Sequence, residues 1–372
     1  MTTATVVDLL IDRADLAHVE LRKTTLGSNA LAAGQVLLKV DHFGLTANNI
    51  TYAALGDALH YWKFFPAPPG WGVIPVWGFA EVQASHCPGI EPGDRFYGYY
   101  PMSSHLLVEP TQIKEGSFID AAEHRRSLPM IYNQYLRTSR DPLYTAASEA
   151  VQMLLRPLFT TSFLLDDFIA EHGCFGARRL LLTSASSKTA IGTAYLLSKE
   201  RGSREQGYEI VGLTSPGNQA FVEQLGCYDR VLGYDEFAEL DADTPTLIVD
   251  FAGNGELLGR LHGHFGQQLQ HSCLVGAAHW DQRGGLPIDL PGPAPKLFFA
   301  PAQAQRRLQD WGGEHFQRCL TEHWYAFGIF AEQWLDIEYG AGPAAVEQVY
   351  GAVLRGDASP RAGHILSLLD NA

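Results

Sequence analysis

The clearest chemical signal in this sequence is an apolar run that ends in a polar turn and reopens as a helix: Leu180-Leu-Leu-Thr-Ser-Ala-Ser-Ser-Lys-Thr-Ala-Ile-Gly-Thr-Ala-Tyr. Where a strand end meets a helix N-terminus, backbone N–H groups and the helix dipole attract an anion. Ser186, Ser187 and Thr189 add hydroxyls and Lys188 adds charge. Gly192 keeps one place of a dinucleotide-binding fingerprint, while Ser187 and Thr189 stand where its earlier glycines belong. This reading places a pyrophosphate on the turn. Two others stay open. Ser and Thr favour N-caps anyway, so the turn also suits a helix that binds nothing. Ser-Ser-Lys-Thr also resembles a nucleotide-hydrolase phosphate loop, without the glycines that loop requires.

The next apolar run ends in Gly212-Leu-Thr-Ser-Pro-Gly-Asn, where an NAD site would carry a carboxylate for the ribose diol. Thr214, Ser215 and Asn218 instead offer hydroxyl and amide groups to a 2′-phosphate, which favours NADPH over NADH; an ordinary polar turn is the alternative. Further on, Gly253 and Asn254 follow Val249-Asp-Phe-Ala, and Gly276 with Ala277 follows Ser272-Cys-Leu-Val. Glycines at strand ends admit a flat ring closely, and they equally serve as turn residues.

These motifs sit in a βαβα alternation from Arg179 onward, with a helix over about 189–201, a strand over 209–214 and a helix over 218–225. Such an order predicts an α/β fold with a doubly wound parallel sheet, because parallel strands need helical crossovers. The first hundred residues read as β-rich, with strands at 35–42, 73–82 and 105–108. From about 118 to 168 the pattern turns helical, Pro157 marks a break or kink, and about 120–150 reads as an inserted excursion. A helix at 344–355 and a strand at 364–368 close the chain and return to the first domain.

Composition narrows the function. With 27 basic against 41 acidic residues and a net charge of −14, no nucleic-acid partner is expected. No apolar run approaches the ~20 residues of a membrane span. Asp8 and Asp12 interrupt the N-terminal apolar stretch, so no signal peptide is expected, and five dispersed cysteines fit a reducing, cytoplasmic setting.

The order of Gly34-Gln-Val-Leu-Leu-Lys-Val-Asp-His-Phe-Gly-Leu-Thr-Ala-Asn-Asn, Pro92-Gly-Asp-Arg-Phe-Tyr-Gly, the βα series and the tail Val346–Leu368 resembles the medium-chain dehydrogenase/reductases over nearly the whole chain. Within that superfamily the sequence is most similar to a family defined as a domain of unknown function. The resemblance implies a GroES-like β-domain (1–154 and 332–372) around a Rossmann domain (155–331). Zinc-dependent members carry a cysteine and a His-Glu pair where this chain has Thr46 and Val76-Trp77, so no metal is expected, as in the quinone-oxidoreductase and enoyl-reductase branch. It also implies substrate-orienting groups just after Gly44, for which Thr46, Asn48, Asn49 and Tyr52 are the candidates, with Tyr52 as proton donor and His60 and Tyr61 behind them. Aromatic residues, among them Tyr61, Trp62, Phe64, Phe65, Trp71, Trp77, Tyr97, Tyr99 and Tyr100, would form either a flat-sided pocket or a plain core. The implied activity is zinc-free hydride transfer from NADPH to an activated C=C or C=O of a small aromatic or enone-like substrate. A non-redox lyase or hydrolase and a non-catalytic dinucleotide-binding protein are the rivals. A homodimer is implied through the sheet edge at Ser272–Ala278 and Lys296–Ala300.

Overall fold

Short runs rich in Val, Leu, Phe and Tyr, cut by Gly, Pro and Asp turns, fold as strands through the first unit, Met1–Leu154 with Leu335–Ala372. The computed structural model describes residues 3–27, 31–204, 207–275 and 290–370. The strands are β1 (Thr3–Asp12), β2 (Val19–Gly27), β3 (Val36–Leu45), β4 (Trp71–Gly72), β5 (Pro75–Ser85), β6 (Arg95–Pro101), β7 (His105–Val108), β8 (Pro110–Lys114), β9 (Ser117–Asp120) and β10 (Gln134–Arg137). Helix α1 (Ala47–Ala54) follows β3 directly, so the stretch after Gly44 is helical. The register of β5 on β6 sets Trp77 opposite Tyr99 and Phe79 opposite Tyr97, which puts all four rings on one face.

Helix α2 (Glu149–Glu171) leads into the second unit, Leu155–Trp334. Helix α2 runs through Pro157 without a break. Its apolar stripe compensates, since Leu154, Leu155, Phe159 and Phe163 are buried. There follow β11 (Arg179–Leu182), α3 (Lys188–Glu200), β12 (Glu209–Thr214), α4 (Gln219–Gln224), β13 (Arg230–Gly233), β14 (Thr246–Asp250), α5 (Gly255–Phe265), β15 (Leu269–Leu274), β16 (Lys296–Leu297), α6 (Ala300–Trp311) and α7 (Gly313–Ala331). The strands pair in parallel in the order β13-β12-β11-β14-β15-β16. The chain thus builds outward from β11, then returns to lay β14 on its other side. That reversal is the topological switch point at which open α/β sheets bind ligands.

The chain ends with β17 (Asp336–Ala341), α8 (Pro343–Arg355) and β18 (Ala362–Ser367), and β18 pairs antiparallel with β3. A nine-stranded sheet results, ordered β17-β18-β3-β5-β6-β10-β9-β8 with β7 on β3, beside a small sheet β2-β1-β4. Within residues 120–150, β10 joins the main sheet between β6 and β9. Gly98 makes this possible, since a side chain there would overlap the Tyr135 ring, which stacks on Phe118 at 4.9 Å. The fold is α/β, a β-rich unit and a parallel-sheet unit of Rossmann order. The expected dimer edge lies partly outside the described residues, at 276–278.

Candidate functional site

In the second unit β11 ends at Leu182 and the chain turns through residues 183–187 into α3. Ser184 holds φ +49°, a left-handed conformation ordinarily left to glycine, and side chains in that region are strained. Ser187 is the N-cap, its Oγ accepting from Ala190 N at 3.3 Å. Ser186 Oγ accepts from Thr214 Oγ1 at 3.2 Å and from Asn218 Nδ2 at 3.1 Å, so the structure joins the polar turn to the end of β12. Gly212 allows the close approach: a Cβ there would stand 2.8 Å from Ala185 Cβ. Ser215 is half-exposed and opens the turn Pro216–Asn218. Lys188 and Thr189 form the first positions of α3 and are half-buried, and burial lowers the Lys188 ammonium to about 8. Gly192 faces α2, where a Cβ would meet Ser162 Oγ at 2.8 Å; its smallness serves helix packing.

At the switch point a residue pair missed in the sequence ties the site together. Thr183 Oγ1 donates to Asp250 Oδ1 at 2.5 Å and accepts from Phe251 N at 2.9 Å and Ala252 N at 3.1 Å. Asp250 Oδ2 accepts from Gly253 N at 3.2 Å. Burial raises the Asp250 carboxyl, and these hydrogen bonds pull the other way. Gly253 takes φ +60°, and Asn254 is the N-cap of α5, accepting from Glu256 N and Leu257 N at 3.1 Å each. The readable signal was an acid at the end of an apolar strand, a place where solvent does not explain it. Gly276 lies outside the described residues.

In the first unit, Thr46 caps α1 and Asn49 completes the cap. Asn49 Oδ1 accepts from Thr46 N at 2.8 Å, and Nδ2 donates to Pro75 O at 2.9 Å, so this buried amide is committed to anchoring α1 on β5. Asn48 is half-buried on the same turn. Tyr52 is buried, its ring 4.4 Å from Tyr61 and 5.8 Å from Tyr99. Burial raises its phenol well above the usual range, while the neighbouring Trp77, Asn48 and Tyr99 side chains partly offset the rise. His60 is exposed, with φ +63°.

Tyr132, which sequence reasoning did not single out, closes the cluster at 4.8 Å from Tyr99 and 5.3 Å from Phe64. It is held by Arg125, a fully buried guanidinium. Arg125 bonds the Tyr132 carbonyl, donates to Asn133 Oδ1 at 2.9 Å and to Tyr135 OH at 2.7 Å, and pairs with Asp120 at 3.2 Å. Trp62, Phe64 and Phe65 are core. Among the described residues no group of three or more His, Cys, Asp or Glu side chains is disposed to hold a metal ion, and no helix is long and apolar enough to cross a membrane.

Comparison with solved structures finds this fold in CurA from Vibrio vulnificus in complex with NADPH: 13% identity, TM-score 0.61, covering 98% of this chain and 99% of that one. It recurs in the yhdH oxidoreductase from Salmonella enterica in complex with NADP (14%, TM-score 0.52, 98% and 99%). The mitochondrial 2-enoyl thioester reductase Etr1p/Etr2p heterodimer from Candida tropicalis shares it too (11%, TM-score 0.58, 98% and 100%). At these identities what is shared is the fold alone. No curated protein matches the sequence. The model of one family, "Protein of unknown function (DUF2855)", matches residues 43–359, and the chain belongs to that family.

Proposed function

We propose that this chain is an NADPH-dependent oxidoreductase that transfers hydride, without zinc, to an activated C=C or C=O of a small, flat, aromatic or enone-like substrate. The observation that carries this reading is the polar cluster at the switch point. Ser186, Thr214 and Asn218 meet beside the start of α3, and β12 ends without a carboxylate. The NADPH and NADP complexes of proteins sharing the fold support it.

The residues present fit a dinucleotide. The N-terminus of α3 with Ser186, Ser187, Lys188 and Thr189 would hold the pyrophosphate, and Ser215 with Thr214 and Asn218 the 2′-phosphate. Gly253 would give the flat ring bare backbone to lie against. The bound cofactor supplies the hydride. Asn48 and Tyr52 orient the substrate oxygen, while Thr46 and Asn49 fix the helix that carries them. A phenol whose pKa is raised stays protonated at physiological pH, so Tyr52 is a steady hydrogen-bond donor. As an acid it suits a strongly basic enolate oxygen rather than a weak base. Free cysteines, four of them buried, are consistent with a reducing cytoplasm.

Calorimetric titration and NADPH oxidation over a panel of enones, aldehydes and quinones test the reading together. NADPH should bind more tightly than NADH, and Ser215→Asp should erase the preference by like-charge repulsion. Tyr52→Phe should lower kcat roughly 100-fold, at the lower end for a lost general acid, with NADPH affinity unchanged. Equal affinity for the two nucleotides would reject the 2′-phosphate site, and no oxidation with any member of the panel would reject hydride transfer.

A further inference from the structure

Trp77 and Tyr99 are direct partners across β5 and β6, their rings 5.0 Å apart. The Tyr52 phenol, carried in by α1, stands beside both. Tyr132 packs against the same two rings, 6.1 Å from Trp77 and 4.8 Å from Tyr99. Despite this crowding, Trp77 Nε1 and Tyr99 OH are each buried and complete no hydrogen bond, and Tyr99 has no solvent exposure at all. Neither completes a hydrogen bond with the Tyr52 phenol beside it. Buried donors left unmade are rare in native proteins because each forfeits its solvation without return.

The chemistry of the three groups limits what would satisfy them. An indole N–H only donates, and a phenol held protonated donates readily. They therefore call for an acceptor, and a substrate oxygen on which negative charge develops takes two or three such donors at once. The charge environment selects its kind. The nearby guanidinium, Arg125, is already engaged by Asp120, Asn133, Tyr135 and the Tyr132 carbonyl. A carboxylate or phosphate would thus be buried here without a countercharge of its own. A neutral carbonyl oxygen on a flat body suits both the donors and the aromatic walls.

We propose that Trp77 Nε1–H and Tyr99 O–H are a second donor pair for the substrate's carbonyl oxygen, acting with Tyr52 and selecting neutral planar carbonyl compounds over charged or hydrocarbon analogues. This rests on the reading that the aromatic cluster of the first unit receives the substrate. It adds two specificity-determining residues, one of them where zinc-dependent relatives by resemblance carry a metal ligand.

The test uses the full chain saturated with NADP⁺ and cyclohexenone isotope-labelled at its carbonyl, so that binding is read without turnover. Trp77→Phe and Tyr99→Phe should each weaken cyclohexenone binding about 2- to 10-fold, the range for one net hydrogen bond. Each should also raise the carbonyl stretching frequency of the bound probe, because a donor has been withdrawn. In the ligand-free protein Tyr99→Phe should raise the thermal midpoint by about 2–4 °C, since an unpaired buried hydroxyl is gone. A merely structural residue would lower stability and leave the carbonyl band in place. Unchanged affinity and band in both variants, a lowered midpoint in Tyr99→Phe, or no binding of cyclohexenone would each overturn the proposal. Donor-dependent binding with no NADPH oxidation on any electrophile would instead reject hydride transfer and leave the donor pair standing.

Discussion

The switch-point turn of the second unit and the aromatic cluster of the first handle polar atoms in opposite ways. In the turn, Thr183, Asp250, Ser186, Thr214 and Asn218 bond to one another and to backbone N–H groups, and Asn254 bonds to the start of α5. In the cluster, Trp77 Nε1 and Tyr99 OH are buried without partners. A cofactor pyrophosphate is bound largely by backbone and helix dipole, so the side chains around it serve best as a closed frame. A neutral substrate offers one or two oxygens, and recognising them requires donors that the protein itself does not consume.

Breaking the closed frame should therefore have the largest effect on stability. Thr183→Val keeps the shape but removes the hydroxyl that serves Asp250, Phe251 N and Ala252 N. The carboxylate then loses its shortest partner and two backbone donors lose an acceptor. We expect a loss of about 2–3 kcal/mol by denaturant unfolding, the range for buried polar groups left unpaired. NADPH affinity should fall as well, because the loop carrying Gly253 is no longer tied to the turn. A loss below about 0.5 kcal/mol would mean that the frame is slack and the contrast with the cluster is wrong.

Gly192 sharpens the comparison from another side. In the sequence it reads as the surviving fingerprint glycine of the cofactor turn, whereas in the structure it is where α3 approaches Ser162 of α2. Ser162 Oγ is fixed there by donating to Thr189 O at 2.8 Å. Gly192→Ala should cost about 1–2 kcal/mol by overpacking, with little effect on NADPH affinity, and adding Ser162→Ala should recover part of the loss. Equal penalties in the single and double variants would return Gly192 to a role in the ligand site.

What could be read from the sequence follows the range of the forces involved. The βαβ order and the polar turn were legible because hydrophobic periodicity and capping preferences act within a few residues. Helix α1 was not, since Asn48-Asn49 reads as a turn; the Thr46-x-x-Asn49 cap was the available clue. The strand at Gln134–Arg137 is too short and polar to announce itself, and it depends on Gly98 making room for Tyr135 from a distant strand. Trp77 and Tyr99 were visible as aromatics, but their pairing is a matter of register, which no local pattern encodes. Thr183 and Asp250 are separated by 67 residues and meet only because the sheet reverses there.

Lys188 gives the smallest expected effect and the finest probe of the cofactor turn. The residue is half-buried at the first position of α3, and burial of its ammonium brings the pKa down to about 8. The unfolded chain holds the same proton until about 10.4, so between pH 8 and 10 it binds more protons than the folded one. By linkage, the stability contributed by this group rises with pH across that window, and the ligand-free protein should gain in thermal midpoint there relative to Lys188→Met. NADPH acts in the opposite sense, because its phosphates favour the charged ammonium. Binding at pH 8 should then take up a fraction of a proton, read from calorimetric heats in buffers of different ionisation enthalpy, and affinity should fall by up to about tenfold from pH 7 to 9. Lys188→Met should abolish both the proton uptake and the pH dependence. A parent protein whose NADPH affinity is flat across that range would place the lysine charge outside the cofactor's reach.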